Sequence, residues 1–230
     1  MRRLAAVATP ERPLNDLVRL RASGHPLQYL EGTVAFGPLT IAVDERVLIP
    51  RPETEYLADH LAGRYSSPAL IVDLGTGSGA LALFLKAAWP ESRVIATDIS
   101  DDALVLAAEN GASLGLEVEW RHGDLFSALP GEIGGRVDLI VANPPYISEE
   151  EWEKLPIDVR QEPRTALVAG PKGTEMIERI IAGVGNWLKP AGEAWIEIGE
   201  TQASFLRRHH GVVIHQDQYG FDRFAMVKVD

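Results

Sequence analysis

The chain has 230 residues, of which 46% are apolar, and a formal net charge of −11. These values are typical of a globular chain with one main domain, long enough to bury about 70% of its unfolded surface without a disulfide or metal. Because the chain has no cysteine, disulfides, thiol nucleophiles and cysteine-containing zinc sites are excluded, and a reducing compartment is favoured. The acidic balance argues against direct nucleic-acid binding, which draws its energy from Lys and Arg.

The first 25 residues predict one helix or a partly ordered arm. The initial segment MRRLAAVATPERP contains an apolar run, Leu4 to Ala8, that is shorter than the roughly 7–15 residues of a signal-peptide core. No apolar segment approaches the ~18 residues that a membrane span needs. We therefore expect a cytoplasmic protein that does not associate with a membrane.

Residues 26–63 predict a small β-hairpin followed by a linker helix. YLEGTVAFGPLTIAVD (29–44) indicates two strands around a Gly-Pro turn. RPETEYLADHLAG (51–63) indicates a helix, because Pro52 falls near its first position and Gly63 follows its end.

From residue 64 onward, apolar runs alternate with helical stretches, which is typical of a parallel α/β sheet. The predicted strands are ALIVDL (69–74), RVIATD (93–98), EVEWRH (117–122), VDLIVA (137–142) and EAWIEIG (193–199), followed by a hairpin of 212–216 and 223–229. The predicted helices cover 78–88, 101–114 with Ser100 as N-cap, and 175–188, which ends before Pro190. The fold class is therefore α/β, a mostly parallel seven-stranded sheet with helices on both faces, preceded by the hairpin and helix.

The stretch DLGTGSGA (73–80) connects the first sheet strand to the first helix of the sheet region. Its glycines allow a ligand to approach the backbone closely. Gly75, Gly77 and Ala80 satisfy the G-x-G-x-x-G/A pattern, so a nicotinamide or flavin enzyme has to be considered. Asp73 precedes the first glycine by two residues, where a carboxylate would repel a pyrophosphate and suit a cationic or amine-bearing ligand.

Two further carboxylates follow strand ends. Asp98 ends the second strand, about 20 residues after the glycine loop, where a ribose-binding carboxylate belongs for either cofactor. Asp124, followed by Leu125, comes after the third strand. Because ligands lie outside the carboxyl ends of parallel strands, Asp73, Asp98 and Asp124 are expected to converge on one crevice.

The fourth strand leads into Asn143-Pro144-Pro145-Tyr146 at the same edge. The two prolines stiffen this loop, while Asn143 and the Pro144 carbonyl offer hydrogen-bond acceptors and Tyr146 offers an aromatic face. Two acceptors that hold a planar NH₂ group would orient its poorly nucleophilic nitrogen toward an electrophile. The sequence therefore predicts a site for an amide or exocyclic amine, with Asn143, Pro144 and Tyr146 as catalytic residues and Pro145 as a further substrate contact.

The motifs DLGTGSG, GDLF and NPPY, together with Asp98 at its strand end, resemble class I S-adenosylmethionine-dependent methyltransferases that act on an amino nitrogen, which have a Rossmann-like fold. More narrowly, GHPLQYLEGTVAFG (24–37), VLIPRPETE (47–55), NPPYI (143–147) and QEPRTALVAG (161–170) resemble the peptide chain release factor glutamine N5-methyltransferase family. NPPY alone is shared with adenine-N6 and other amine methyltransferases, whereas the IPRPETE and EPRTAL segments are more specific.

The resemblance implies S-adenosylmethionine as the cofactor and S-adenosylhomocysteine as the product. The residues implied along the methionine and ribose side of the cofactor are Asp73, Leu74, Gly75, Thr76 and Gly77. Asp98 would bind the ribose hydroxyls, Asp124 with Leu125 would contact the adenine, and Asn143 would also lie against the cofactor.

The resemblance also implies the substrate, a peptide chain release factor. Asn143 and Pro144 would hold the glutamine side-chain amide of its Gly-Gly-Gln motif, with Tyr146 against it. The implied reaction is methyl transfer to N5 of that glutamine. A ribosomal-protein glutamine and an exocyclic amine of a nucleic-acid base, such as adenine N6, stay open as alternative substrates.

Members of this family usually carry a separate N-terminal helical bundle that helps grip the release factor. Only residues 1–23 precede GHPLQYL, so we expect the bundle to be largely missing. The expected division is an arm or helix at 1–25, the hairpin and linker helix at 26–63, and the methyltransferase domain at 64–230. A truncated chain, a natural short form, and a relative acting on another protein glutamine are all compatible with this organisation.

Three other classes compete with a protein-glutamine methyltransferase. A nucleic-acid amine methyltransferase would share NPPY but should carry a basic face. A non-catalytic binding module would have no task for an intact Asn143–Tyr146 set, and neither would a dehydrogenase. The six histidines lack metal-ligand spacing, so no metal is expected.

Overall fold

The N-terminal part of the chain forms two short helices in the computed structural model, which describes residues 2–229. These helices are α1 (Arg2–Ala6) and α2 (Leu14–Ala22). The sequence predicted one helix or an arm, but Pro10 and Pro13 lie between the two helices and interrupt helical hydrogen bonding. A small apolar cluster holds the helices against the rest of the protein through Leu4, Leu17 and Leu30.

The predicted hairpin is present and is preceded by one more short helix. Helix α3 (Leu27–Glu31) leads into β1 (Thr33–Phe36) and β2 (Leu39–Ala42), which pair antiparallel. The side chain of Asn110 donates to the Ala42 carbonyl at 3.1 Å and accepts from the Ala42 amide at 2.8 Å. These two bonds dock the hairpin onto the main domain.

Helix α4 (Pro52–Arg64) follows, with Pro52 at its first position as predicted. The later strands are β3 (Leu70–Leu74), β4 (Arg93–Asp98), β5 (Glu119–His122), β6 (Val137–Ala142), β7 (Ile147–Ser148), β8 (Val168–Gly170), β9 (Leu188–Glu197), β10 (Val212–Gln216) and β11 (Asp222–Lys228). The short β7 and β8 pair with each other, and the other seven strands form one sheet in the order β10-β11-β9-β6-β3-β4-β5. In this sheet β11 alone runs opposite to the other strands, so its pairs with β9 and β10 are antiparallel and the remaining pairs are parallel, which confirms a mostly parallel seven-stranded sheet.

Helices cover both faces of this sheet. The helices after α4 are α5 (Ala80–Ala88), α6 (Asp101–Leu114), α7 (Glu149–Trp152), α8 (Glu175–Val184) and α9 (Ala203–Leu206), of which the short α7 lies beside β7 and β8. Successive residues of a strand point to opposite faces. Ile71 of β3 accordingly packs in the cluster that contains Leu57 of α4, and Val72 packs in the cluster that contains Ile177 of α8. None of the helices within residues 2–229 is long and apolar enough to cross a bilayer.

Several predicted boundaries were wrong and one cap was confirmed. Gly63 was predicted to follow the linker helix but lies inside α4, and the helix predicted for 78–88 begins at Ala80. The helix predicted for 175–188 ends at Val184, and β9 begins at Leu188 rather than at residue 193. Pro190 lies inside the exposed start of β9, where the pairing with β6 shifts register, and such irregular positions tolerate proline. Ser100 caps α6 as predicted, accepting from the Ala103 amide at 3.2 Å.

The strand order contains one topological switch point. From β3 the chain moves outward through β4 to β5, and it then returns to the other side of β3 with β6 and β9. In open α/β sheets a crevice forms outside the carboxyl ends of the strands at such a point. The ends of β3 and β6, which carry the glycine loop and the Asn143 loop, therefore meet there.

Candidate active site

A cavity lies outside these strand ends, and its lining includes every predicted site residue except Tyr146. The predicted residues in the lining are Asp73, Leu74, Gly75, Thr76, Gly77, Asp98, Asp124, Leu125, Asn143, Pro144 and Pro145. The sequence therefore identified the floor of the cavity, which is formed by the turns after consecutive parallel strands.

The glycine loop presents open backbone to the cavity. Gly75 and Gly77 have φ angles of 74° and 55°, in the left-handed region that favours glycine. A Cβ atom added at either position would meet no atom within 4 Å, so a ligand can approach this backbone closely. Gly79 differs, because a Cβ there would lie 2.9 Å from the Trp120 ring. The first two glycines leave room for a ligand, and the third permits helix packing.

Asp73 lies at the base of the loop with only 1% of its surface exposed. It accepts a hydrogen bond from the Thr76 hydroxyl at 2.6 Å. Burial raises the pKa of Asp73 to about 7, the hydrogen bond from Thr76 opposes this, and the nearby charge of Asp98 adds to it. No basic side chain is among these influences, so a positively charged ligand nearby would stabilise the ionised form. S-adenosylmethionine would be such a ligand, because it carries a positively charged sulfonium and an ammonium group.

Asp98 holds the glycine loop and faces the cavity. Its two carboxylate oxygens accept from the Gly77 amide at 2.8 Å and the Ser100 amide at 2.9 Å. Burial raises its pKa, and these backbone hydrogen bonds oppose the increase. Each oxygen has a second lone pair, so Asp98 can also accept from ligand hydroxyls such as those of a ribose.

Asp124 and Leu125 form another part of the cavity wall. Asp124 forms an ion pair with Arg179 of α8 at 2.7 Å. Leu125 adopts φ 51°, a left-handed conformation that costs a non-glycine residue about 1–2 kcal/mol. Strain of this kind concentrates at ligand sites, and here it turns the chain at the cavity edge.

The loop after β6 supplies two acceptors that no described residue uses. Asn143 donates from Nδ2 to the Thr54 hydroxyl at 2.9 Å. No donor within residues 2–229 bonds its Oδ1 or the Pro144 carbonyl. Tyr146 is placed differently, because it is not among the residues that line the cavity and its hydroxyl lies 3.5 Å from Glu197 Oε1. Burial raises the pKa of Tyr146.

The other wall of the cavity was not assigned from sequence. It is formed by the linker before α4 and by the segment between α7 and β8, with the lining residues Arg46, Val47, Leu48, Pro50, Thr54, Pro163, Thr165 and Ala166. The buried carboxylate of Glu162 ties the two segments together by accepting from the Ile49 amide at 2.9 Å and from Arg51 at 2.5 Å. Both segments carry the family resemblance, IPRPETE and EPRTAL, and that was the only sequence signal for this wall.

No group of three or more potential metal ligands occurs among the residues that the structure describes. The polar groups that line the cavity are carboxylates, the Asn143 amide, several hydroxyls, the Arg46 guanidinium and backbone groups. Its chemistry suits hydrogen bonding to an organic cofactor and an amide.

Comparisons with known proteins identify the family of the chain. Residues 52–159 match the family model "Methyltransferase small domain". The release factor glutamine methyltransferase of Enterococcus faecalis is 38% identical over 95% of this chain and 80% of its own length. The protein of the same name from Deinococcus radiodurans is 41% identical over 83% of this chain and 68% of its own length.

A solved structure supports the fold independently of sequence. The ribosomal protein L11 methylase of Lactobacillus delbrueckii subsp. bulgaricus superimposes with a TM-score of 0.60 over 86% of this chain and 99% of that one, at 20% identity. The fold is thus that of class I methyltransferases, and the sequence relationship is narrower: the chain belongs to the release factor glutamine methyltransferase family.

Proposed function

We propose that this chain transfers a methyl group from S-adenosylmethionine to the side-chain amide nitrogen, N5, of the glutamine in the Gly-Gly-Gln motif of a peptide chain release factor. The observation that carries the proposal is the pair of available acceptors, Asn143 Oδ1 and the Pro144 carbonyl, beside the open glycine loop. The names of the relatives, release factor glutamine methyltransferases, support a release factor as the substrate. The net charge of −11 favours a protein substrate over a nucleic acid.

The chemistry requires an amide nitrogen to act as a nucleophile although its lone pair is delocalised. Asn143 Oδ1 and the Pro144 carbonyl would accept one N–H each, which orients the nitrogen and increases its electron density. Bound S-adenosylmethionine would supply an electrophilic methyl group on its sulfonium. Attack would form the N–CH₃ bond and break the S–CH₃ bond, and water would take the amide proton while Asn143 and Pro144 hold the nitrogen. Catalysis is then mainly positioning and electrostatic stabilisation.

On the cofactor side, we assign Asp98 to the ribose hydroxyls and Asp124 with Leu125 to the adenine. Asp73 to Gly77 would lie along the methionine and ribose, where the Asp73 carboxylate would face positive charge. S-adenosylhomocysteine would be the product. We place the protein in the cytoplasm, where release factors act and where a chain without cysteine meets a reducing environment.

The test is transfer of labelled methyl from S-adenosylmethionine to a purified release factor. The matched control is the same release factor with Gln→Ala in its Gly-Gly-Gln motif, and a second arm offers total RNA and DNA. We expect label in the wild-type release factor only. Label in the Gln→Ala factor would refute the target, and label in nucleic acid would favour the adenine-type alternative.

A further inference from the structure

Two consecutive hydrogen bonds connect the Asn143 side chain to Thr54 and Thr54 to Glu197. Asn143 Nδ2 donates to Thr54 Oγ1 at 2.9 Å, and Thr54 Oγ1 donates to Glu197 Oε2 at 2.6 Å. Thr54 is 5% exposed and Glu197 is 1% exposed, so solvent does not compete for these bonds. The three residues come from the first turn of α4, the loop after β6 and the end of β9, which meet only in the folded protein.

The number of protons fixes the direction of these bonds. A hydroxyl has one proton to donate, and an ionised carboxylate only accepts. When Glu197 is ionised, the proton of Thr54 is therefore committed to Glu197, and Thr54 can only accept from Asn143. That bond selects the orientation in which Nδ2 faces Thr54 and Oδ1 faces the cavity. In the flipped orientation, Asn143 Oδ1 would face Thr54 Oγ1 with no proton between the two acceptors. Leaving buried acceptors unpaired costs free energy.

We propose that Thr54 and Glu197 are positioning residues that orient the Asn143 carboxamide so that its oxygen, rather than its nitrogen, faces the amide being methylated. The proposal rests on the proposed function, which needs an acceptor at this position. Neither residue touches the substrate amide in this account. Thr54 lines the cavity from behind Asn143, and Glu197 acts through Thr54.

The orientation depends on the charge of Glu197. Burial raises the pKa of Glu197 to about 7, and nearby Glu53 raises it further, while the Thr54 hydrogen bond, Arg223 and Arg51 oppose the increase. The Tyr146 hydroxyl approaches its other oxygen at 3.5 Å. Protonated Glu197 becomes a donor toward Thr54, which releases the Thr54 proton to bond Asn143 Oδ1. The acceptor orientation is therefore favoured as pH rises through about 7 and lost as pH falls below it.

Three variants separate positioning from packing. Thr54→Val keeps the shape and removes the hydroxyl, Thr54→Ser keeps the hydroxyl, and Glu197→Gln removes the titrating group. We expect Thr54→Val to lower turnover about tenfold or more at saturating cofactor and release factor, with cofactor Kd near wild type and a lower Tm, because the buried Glu197 loses its hydrogen-bond donor. Thr54→Ser should restore most of the turnover. Wild type should gain turnover with an apparent pKa near 7, and Glu197→Gln should lose that inflection.

A readout independent of activity uses the side-chain NH₂ resonances of asparagine. The chain has four asparagines, so selective ¹⁵N-asparagine labelling gives a simple spectrum in which Asn143→Ala identifies one pair of signals. We expect that pair to titrate with an apparent pKa near 7 in wild type and Thr54→Ser, and not in Thr54→Val. An unchanged titration in Thr54→Val, or wild-type turnover in that variant, would overturn the proposal. If wild type transfers no methyl, the proposed function fails, and the NMR titration still decides whether Thr54 and Glu197 hold Asn143.

Discussion

The site has a cofactor half, formed by the glycine loop with Asp98 and Asp124, and an amide half, formed by Asn143 and Pro144. The two halves are positioned by different kinds of contact. In the cofactor half, the glycine loop, Asp98 and Asp124 each follow a strand of the same parallel sheet, and Asp98 directly holds the loop through Gly77. In the amide half, Asn143 depends on Thr54, 89 residues earlier, and Thr54 depends on Glu197, 143 residues later. The first half follows from strand order, whereas the second exists only through tertiary contacts.

The largest expected effect separates the two halves directly. Asn143→Ala removes the acceptor for the substrate amide and should lower turnover by about 100-fold or more, the size found when one preorganised polar group is lost from an active site. Cofactor Kd, measured by calorimetry, should stay near wild type. An equal loss of cofactor affinity would show that Asn143 contributes to cofactor binding and would contradict its assignment to the amide half.

The reciprocal change is Asp98→Ala. Loss of a charged acceptor for ribose hydroxyls, and of the bond to the Gly77 amide, should raise cofactor Kd about tenfold or more. Turnover at saturating cofactor should fall much less. Asp98→Asn is the matched control, because it retains an acceptor oxygen and should lie between wild type and Asp98→Ala. Unchanged affinity in Asp98→Ala would contradict the ribose assignment.

Within the cofactor half, the glycines differ in role, and stability measurements can show this. Gly75→Ala and Gly79→Ala share the backbone cost of a left-handed conformation, about 1–2 kcal/mol. Gly79→Ala adds a clash with Trp120, so it should lower the free energy of unfolding by about 1–3 kcal/mol more. Urea denaturation of both variants tests the difference. Equal loss would mean that Gly79 does not serve packing.

The smallest expected effect concerns Asp73 and pH. Its raised pKa of about 7 means that the carboxylate becomes ionised as pH rises through that value, and only the ionised form attracts a cationic cofactor. Cofactor affinity should therefore rise a few-fold between about pH 6 and pH 7.5. Asp73→Asn should bind more weakly and show a flatter profile. A wild-type affinity independent of pH would argue against Asp73 facing positive charge.

The sequence predicted the parts of the molecule that depend on local rules. Strands β3, β4 and β6 could be recognised because buried parallel strands appear as short runs rich in Val and Ile, and the polar residues at their ends then fall at one edge. The sequence predicts a helix end close to Pro190 and not at Val184, because proline commonly follows a helix; here Pro190 instead lies in the irregular start of β9.

The amide half could be predicted only in part. The Asn143-Pro144 acceptors were visible as a motif, but the partner that orients Asn143 was not, because nothing in the local pattern of PETE indicates that Thr54 faces Glu197. Arg51 and the buried Glu162, whose ion pair joins the two segments of the far wall, are separated by 111 residues. Such pairings are set by the packing of the linker against the segment between α7 and β8 and of α4 against β9, and no periodicity encodes them.

The most direct test of the account is to locate the transferred methyl group by tandem mass spectrometry of a release factor treated with the enzyme and S-adenosylmethionine. We predict a single methyl group on the side-chain amide nitrogen of the Gly-Gly-Gln glutamine, formed about 100-fold or more slowly when Asn143→Ala replaces the wild-type enzyme. A methyl group on another residue, or on an oxygen or backbone nitrogen, would contradict the role given to Asn143 and Pro144.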